Sequence, residues 1–472
     1  MNNKFLKFIK NFSYTLSSNL ISTIISTLIV LVIPKLIGVE EYGYWQLYIF
    51  YSSYVGFLQF GWNDGIYLRY GGYEYKDLNK KTFFSQFWML FISQIIISVT
   101  IIIFSLIYIK DIDKIFIFIS VAICVVLMGV RAMPIFILQA TNRIKEYAKI
   151  TILDRIVYCV LIILLITVGI RQYKLMIIAD LVGKAISLLY SMYCCYDIVF
   201  RNVHEFKISI DETKKNISVG IKLMLSNIAS MLIIGIVRFG IERSWDVETF
   251  GKISLTFSIS SMMMIFINAI GIIMFPILKR MSIGKVKNIY KSIRDLLMIV
   301  LFAILILYYP FSELLSKWLP RYIESLRYMA ILFPMCIYEG KMSLLINTYL
   351  KTLRKEKIML KINIITLVVS FIITIATTLI FKNLNFAVIS IVGLLAFRCI
   401  LAESILTKMI RVKMHKDILL ELFMTITFIL TGWFINNLSG IIIYFVCYLL
   451  YIFMKKNDIR ATIKNIRMLS IL

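Results

Sequence analysis

The sequence predicts an all-α integral membrane protein of about fourteen transmembrane helices. They form two six-helix lobes related by a pseudo-twofold along the membrane normal, with two further helices at the C-terminal end. Three observations carry this. The 472 residues are 60% hydrophobic with a mean hydropathy of +0.87, more apolar surface than a soluble core can bury. The apolar runs are separated by short links that alternate between basic and nearly uncharged. The chain also repeats itself: shifted by about 208 residues, Ser18-Asn19 lands on Ser226-Asn227, Ser22 on Ser230 and Glu40 on Glu248. Tyr42-Gly43 then meets Phe250-Gly251, Leu47 meets Leu255, and Ser52-Ser53 meets Ser260-Ser261, with no gap needed.

A helix needs about 20 mainly apolar residues to cross the hydrocarbon with its backbone groups paired internally. That length places spans at 13–37, 43–67, 83–109, 115–140, 149–170, 174–198 and 217–241, then at 250–278, 292–317, 325–350, 358–381, 385–410, 417–435 and 438–454. The start, Met1 to Lys10, is basic and runs into an apolar stretch without a small-residue cleavage site, so it reads as a first span rather than a removable signal. Both termini are expected inside. More than half of the 52 Lys and Arg fall in the loops and tails then assigned to the inside, such as Lys80-Lys81, Lys214-Lys215 and Lys355-Glu356-Lys357. This is the positive-inside pattern, and it explains the net charge of +26 without a nucleic-acid partner. Trp45, Trp88, Trp245, Trp318 and Trp433 fall at expected interfaces; Trp62 does not fit so cleanly. The expected units are 1–210, 211–411 and a 412–472 appendix of two spans and a tail. Beyond the first pair the repeat continues weakly: Gly129, Thr141 and Arg143 match Gly340, Thr352 and Arg354. Pro134, Pro310 and Pro334 interrupt spans and are candidate bends.

Nothing in the chain points to catalysis. It has no phosphate-cradling GxxxxGK[ST], no Gly-rich dinucleotide loop, no HExxH and no Ser/His/Asp set, so neither a cofactor nor a metal is expected. The seven cysteines all lie in apolar segments without metal-ligand spacing, and His204 and His415 lie in charged inner loops. The informative residues are charges at membrane depth, each costing about 2.5–3.5 kcal/mol on insertion scales. The deepest cations are Arg131, Lys184, Arg238, Lys341 and Arg398; the deepest acids are Asp64, Asp180, Glu339 and Glu403. Asp180 and Lys184, one helical turn apart, most simply neutralise each other. Glu339 and Lys341 point to different faces, and Arg398 and Glu403 are poorly spaced for one helix. For Arg131, Arg238 and Arg398 a cavity-lining role and pairing between helices stand open. Ser18, Asn19, Ser22 and Ser26 form a polar stripe on the first span. Lys222, Ser226, Ser230, Asn227 and Arg238 do so on the seventh. Both stripes suit close helix packing or a wet cavity.

The run Pro34-Lys35-Leu36-Ile37-Gly38-Val39-Glu40-Glu41-Tyr42-Gly43-Tyr44-Trp45, followed by Gly61 and Gly65-Ile66 to Arg69, resembles the opening of bacterial polysaccharide-transport flippases. These are the O-antigen and capsule repeat-unit translocases of the multidrug/oligosaccharidyl-lipid/polysaccharide (MOP) superfamily. The resemblance implies movement of an undecaprenyl-diphosphate-linked oligosaccharide from the inner to the outer leaflet of the bacterial plasma membrane, by alternating access through a cationic central cavity. It implies that Arg131, Arg238, Lys341 and Arg398 hold the headgroup and that Asn19 and Asn227 lie near the sugar. Asp64, Asp180, Lys184, Glu339 and Glu403 are then coupling or charge-pair groups. Membrane lipids, a polysaccharide polymerase and glycosyltransferases of the same pathway are the expected partners. A multidrug antiporter of the same superfamily, a lipid II flippase and an integral-membrane glycan polymerase are the rivals. Drug cations favour acidic cavities, whereas this chain has more deep cations than acids, and a polymerase usually presents a large external loop, for which no link here is long enough.

Overall fold

The computed structural model describes the backbone of residues 3–279, 283–353, 355–412 and 414–458. Among these the chain is helical throughout, with no strand. It divides into two compact units, Met1–Ile228 and Ala229–Leu472.

The first unit is built from α1 (Asn3–Leu36), α2 (Val39–Ser52), α3 (Trp62–Tyr70), α4 (Lys80–Tyr108), α5 (Ile112–Ala140), α6 (Ile144–Thr167) and α7 (Tyr173–Cys194). It ends within α8 (Ile210–Ser244), whose remaining turns open the second unit. That unit continues through α9 (Val247–Lys279), α10 (Ile283–Ile306) and α11 (Tyr308–Trp318). The hairpin of α12 (Met329–Thr352) and α13 (Lys357–Ile380) follows. The unit closes with α14 (Leu384–Ile410), α15 (His415–Phe434) and α16 (Leu438–Met454). In the first unit α5 packs against α2, α3, α4, α6 and α7, while α1 packs along α6. In the second, α12 packs against α9, α10, α14 and α15, and α13 pairs with α14 as α6 pairs with α7. The hub helix of each unit is therefore the one carrying the Gly129/Gly340 landmark. Tyr42 and Phe250 are both buried, as are Leu47 and Leu255, so matching text occupies matching depth in each unit.

Among the described residues eleven helices are long and apolar enough to cross a membrane, which makes this a multi-pass membrane protein. The other three expected spans differ in instructive ways. The eighth is the continuous helix Val247–Lys279, part of whose side chains lie outside the described residues. The fourteenth, Leu438–Met454, has 17 residues and is short for a spanning helix. The second, expected over 43–67, is broken: Phe60 (φ 53°) and Gly61 (φ 77°) adopt left-handed backbone, and α3 starts anew at Trp62. The cause is a close crossing. A Cβ on Gly65 would sit 1.8 Å from the Asn216 carbonyl oxygen, and one on Gly220 would sit 1.9 Å from the Gly61 carbonyl oxygen. Gly61-xxx-Gly65 of α3 thus interlocks with Asn216-xxx-Gly220 of α8, the small-residue packing that lets backbones meet in lipid. Arg69 secures the crossing by pairing with Glu212 at 2.7 Å and donating to Asn216.

Candidate functional site: charges at membrane depth

The first unit buries two charge networks around α5 and α7. Arg131 on α5 donates from Nη1 to Asp154 Oδ2 on α6 and to Ser187 Oγ on α7, both at 2.8 Å. Ser187 in turn donates from its hydroxyl to the Ile150 carbonyl at 2.9 Å. Three helices are therefore tied through one guanidinium, and its charge is met by a buried carboxylate. Asp180 and Lys184 form an ion pair along α7, and Tyr48 of α2 donates to Asp180 Oδ2 at 2.6 Å. Asp64 lies in the first turn of α3, half-buried and apart from both networks.

The second unit holds a larger network. Arg294 on α10 reaches Glu403 on α14 from Nε at 2.7 Å and Glu421 on α15 from Nη2. Lys341 on α12 reaches the same two carboxylates, Glu421 at 2.7 Å. Tyr290 donates to Glu403 at 3.2 Å. Two cations and two carboxylates from four helices alternate with almost no exposure, and Lys341 opens a π-helical turn, Lys341–Ile346. Next to Arg294 in the chain, Asp295 accepts from Lys455 beyond α16 at 2.9 Å. Lys455 also meets Asp417 and, at 3.3 Å, Asp458, and Lys291 reaches Asp458 at 2.6 Å. These contacts fasten the two C-terminal helices to the second unit.

Arg398 on α14 is arranged differently. Its Nε donates to Asn363 Oδ1 at 3.0 Å and its Nη2 to Ser230 Oγ at 2.7 Å, so two of its partners are neutral. Its one carboxylate, Glu339, accepts from Nη1 at 3.2 Å and keeps 27% of its side chain exposed, against 4% for Arg398. Arg238, two turns beyond Ser230 on α8, donates to Ser254 Oγ at 3.0 Å. Its guanidinium lies 5.0 Å from the ring centroid of Phe257 and 5.6 Å from that of Phe250. Asn19 and Asn227 are exposed on α1 and α8. Outside the spans, Asp246 is held below the ordinary carboxylate range by the Thr249 hydroxyl and backbone N–H at the start of α9.

Of the cations expected around a headgroup, Arg131 and Lys341 are thus committed to carboxylates inside their own units, whereas Arg398 also donates to a serine and an asparagine. Glu403, expected as a coupling or pairing group, pairs with Lys341 and with Arg294. The sequence reading does not single out Asp154, Arg294 or Glu421. Among the described residues no group of three or more His, Cys, Asp and Glu side chains is placed to hold a metal.

This arrangement, polar networks inside helical bundles of a multi-pass chain, sits in a known transporter fold. A solved structure of MATE in complex with MaD5 superposes with a TM-score of 0.53 at 13% identity, over 86% of this chain and 94% of that one. MATE in complex with MaL6 gives 0.51 at 15% identity over the same shares. A MOP superfamily transporter from Pyrococcus furiosus gives 0.48 at 14% identity, also over 86% and 94%. No curated protein matches the chain. The family model described as "Polysaccharide biosynthesis protein" matches residues 8–282, and the chain belongs to that family.

Proposed function

We propose that the protein is a flippase that moves a polyprenyl-diphosphate-linked oligosaccharide from the inner to the outer leaflet for surface polysaccharide synthesis. Membership of the polysaccharide biosynthesis family and a fold similar to that of MATE support this reading. The observation that carries the reading furthest is Arg398. Its planar fork is pre-positioned by Ser230 and Asn363, and among the described residues its only carboxylate partner, Glu339, has a partly exposed side chain. An arriving diphosphate can take the Nη1 donor from Glu339, which has water to turn into, and gains two parallel charge-assisted bonds. Arg238 supplies a second cation on the polar stripe that begins at Ser230. Arg131 and Lys341 have no such exchangeable partner, so their task is holding the bundles. In this reading Asn19 and Asn227, exposed on their helices, are assigned to sugar hydroxyls rather than phosphate.

The chain offers no nucleotide site and no catalytic set, so the reading is transport without chemistry, in the plasma membrane of a bacterium. A deletion strain complemented with wild type, Arg238→Gln or Arg398→Gln provides the test. Loss of surface glycan with accumulation of lipid-linked repeat units supports the flippase, as does partial loss in either variant at equal protein level. Drug sensitivity with normal glycan supports the antiporter instead. Growth arrest with arrested wall synthesis points to a wall-precursor flippase.

A further inference from the structure

A second binding feature lies away from these networks, where the first unit ends and α8 begins. Residues 195–209 form a strap along the side of the unit that the basic loops assign to the cell interior. The strap is pinned. Tyr75 donates to Asp197 Oδ1 at 2.6 Å, Lys80 pairs with the same carboxylate, and Trp88 Nε1 donates to the Val199 carbonyl at 3.2 Å. The backbone N–H of Lys207 donates to Ser85 Oγ at 3.0 Å. Ile198 and Val199 are buried against α4, yet Tyr193, Tyr196, Phe200, Val203, Ile208 and Ile210 stay exposed. A pinned segment that keeps Tyr196, Phe200, Val203 and Ile208 outward, between Tyr193 at the end of α7 and Ile210 at the start of α8, is built to lie in the interface plane.

Beside it opens a cleft of about 1030 Å³ lined by the first turns of α4 and α8, with Lys81, His204, Lys207 and Lys214 at its walls. Its acids are Glu205 and Asp211. Glu205 is already engaged by Arg201 at 2.5 Å and by Lys81 at 3.6 Å, and the Arg201 contact holds its carboxyl below the ordinary range. Among the described residues Lys207 and Lys214 make no salt bridge. Two unspent ammonium groups facing a roomy cleft, under a rim of apolar side chains, match the two ends of one molecule.

We infer that this cleft is a site for an anionic phospholipid. The lipid phosphate sits between Lys207 and Lys214, and its acyl chains run along Val203, Ile208 and the end of α7. The pairing of phosphate with interhelical basic residues at the inner face supplies specificity, and the apolar rim supplies retention. The site anchors the start of α8, the helix shared by the two units, and is independent of what the protein transports.

The test is native mass spectrometry of the full-length protein released from nanodiscs, made from phosphatidylglycerol or phosphatidylcholine. Wild type should retain phosphatidylglycerol over phosphatidylcholine. The double variant Lys207→Gln/Lys214→Gln should lower that preference by about fivefold per lysine, and Lys207→Arg/Lys214→Arg should restore it. The same charge change elsewhere on the inner side, Lys357→Gln/Lys361→Gln, should leave it unchanged. Equal losses in the two Gln variants would mean that only net charge attracts lipid and would overturn the site. Displacement of the retained lipid by inorganic phosphate at millimolar concentration would overturn the lipid assignment in favour of a simple anion site.

Discussion

Arg131 shows what a buried cation does when its charge is spent inside a bundle. Replacing Arg131 with Gln leaves Asp154 buried without its cation, and Asp154→Asn strands the arginine. Each should destabilise the protein by about 3–5 kcal/mol, read as a lower unfolding midpoint in detergent. Replacing both with leucine should recover most of that loss, because an apolar pair of similar volume escapes the desolvation penalty. Arg398→Gln should behave in the opposite way. Stability should change little, since Ser230 and Asn363 can bond to the new amide, while transport falls at least tenfold. Glu339→Gln sharpens the contrast: by removing the competitor for Arg398 it should tighten binding of a diphosphate lipid and slow its release. The Asp180–Lys184 pair was legible from sequence because both groups lie one turn apart on the same helix. Arg131 with Asp154 was not, since nothing in the text of α5 names its partner on α6.

At the scale of elements, the α3–α8 crossing and the C-terminal clasp make separate predictions. Gly65→Ala places a methyl into the Asn216 carbonyl and should cost at least about 1–3 kcal/mol, whereas at Gly56 an added Cβ meets nothing and the same change should be nearly neutral. The break in the second expected span has the same origin. Hydropathy over 43–67 is continuous, so the run reads as one helix. The kink at Phe60-Gly61 arises from a partner about 155 residues away, which periodicity cannot reveal. Arg294 and Glu421 were hidden for a related reason. The expected spans begin at 292 and 417, placing both at an edge where a charge reads as interfacial. In the structure α10 starts at Ile283, which puts Arg294 in the middle of the helix. At the clasp, burial works against the charge of Asp458, yet Lys291 and Lys455 hold its carboxyl below the ordinary range. Its stabilising contribution is complete above the usual aspartate value of about 3.9 and is lost as pH falls through the lower folded value. Protease resistance of the C-terminal helices should therefore be flat from neutral pH down to mild acid and drop only in strong acid. Lys455→Met should lower it across that range by taking the 2.9 Å cation from Asp295 and leaving it only the more distant Arg294 at 3.6 Å among the described residues.

For the whole molecule, the sequence carried the membrane class and the all-helical architecture. Lipid exposure, positive-inside bias and duplicated landmarks are all written locally. It did not carry the division of labour among the deep charges, which depends on which helices meet. That division is the centre of the proposal: Arg131, Lys341, Glu403 and Arg294 tie helices together within their units, and Arg398, with Arg238, is the pair proposed to receive an anionic headgroup. The most direct measurement reconstitutes purified protein into liposomes carrying a polyprenyl-diphosphate-linked oligosaccharide in one leaflet. A membrane-impermeant glycan oxidant then follows the arrival of sugar in the other. The account predicts transfer well above protein-free liposomes for wild type and little above background for Arg398→Gln with an unchanged unfolding midpoint. Transfer by the Arg398→Gln protein at the wild-type rate, or none by wild type, would contradict it.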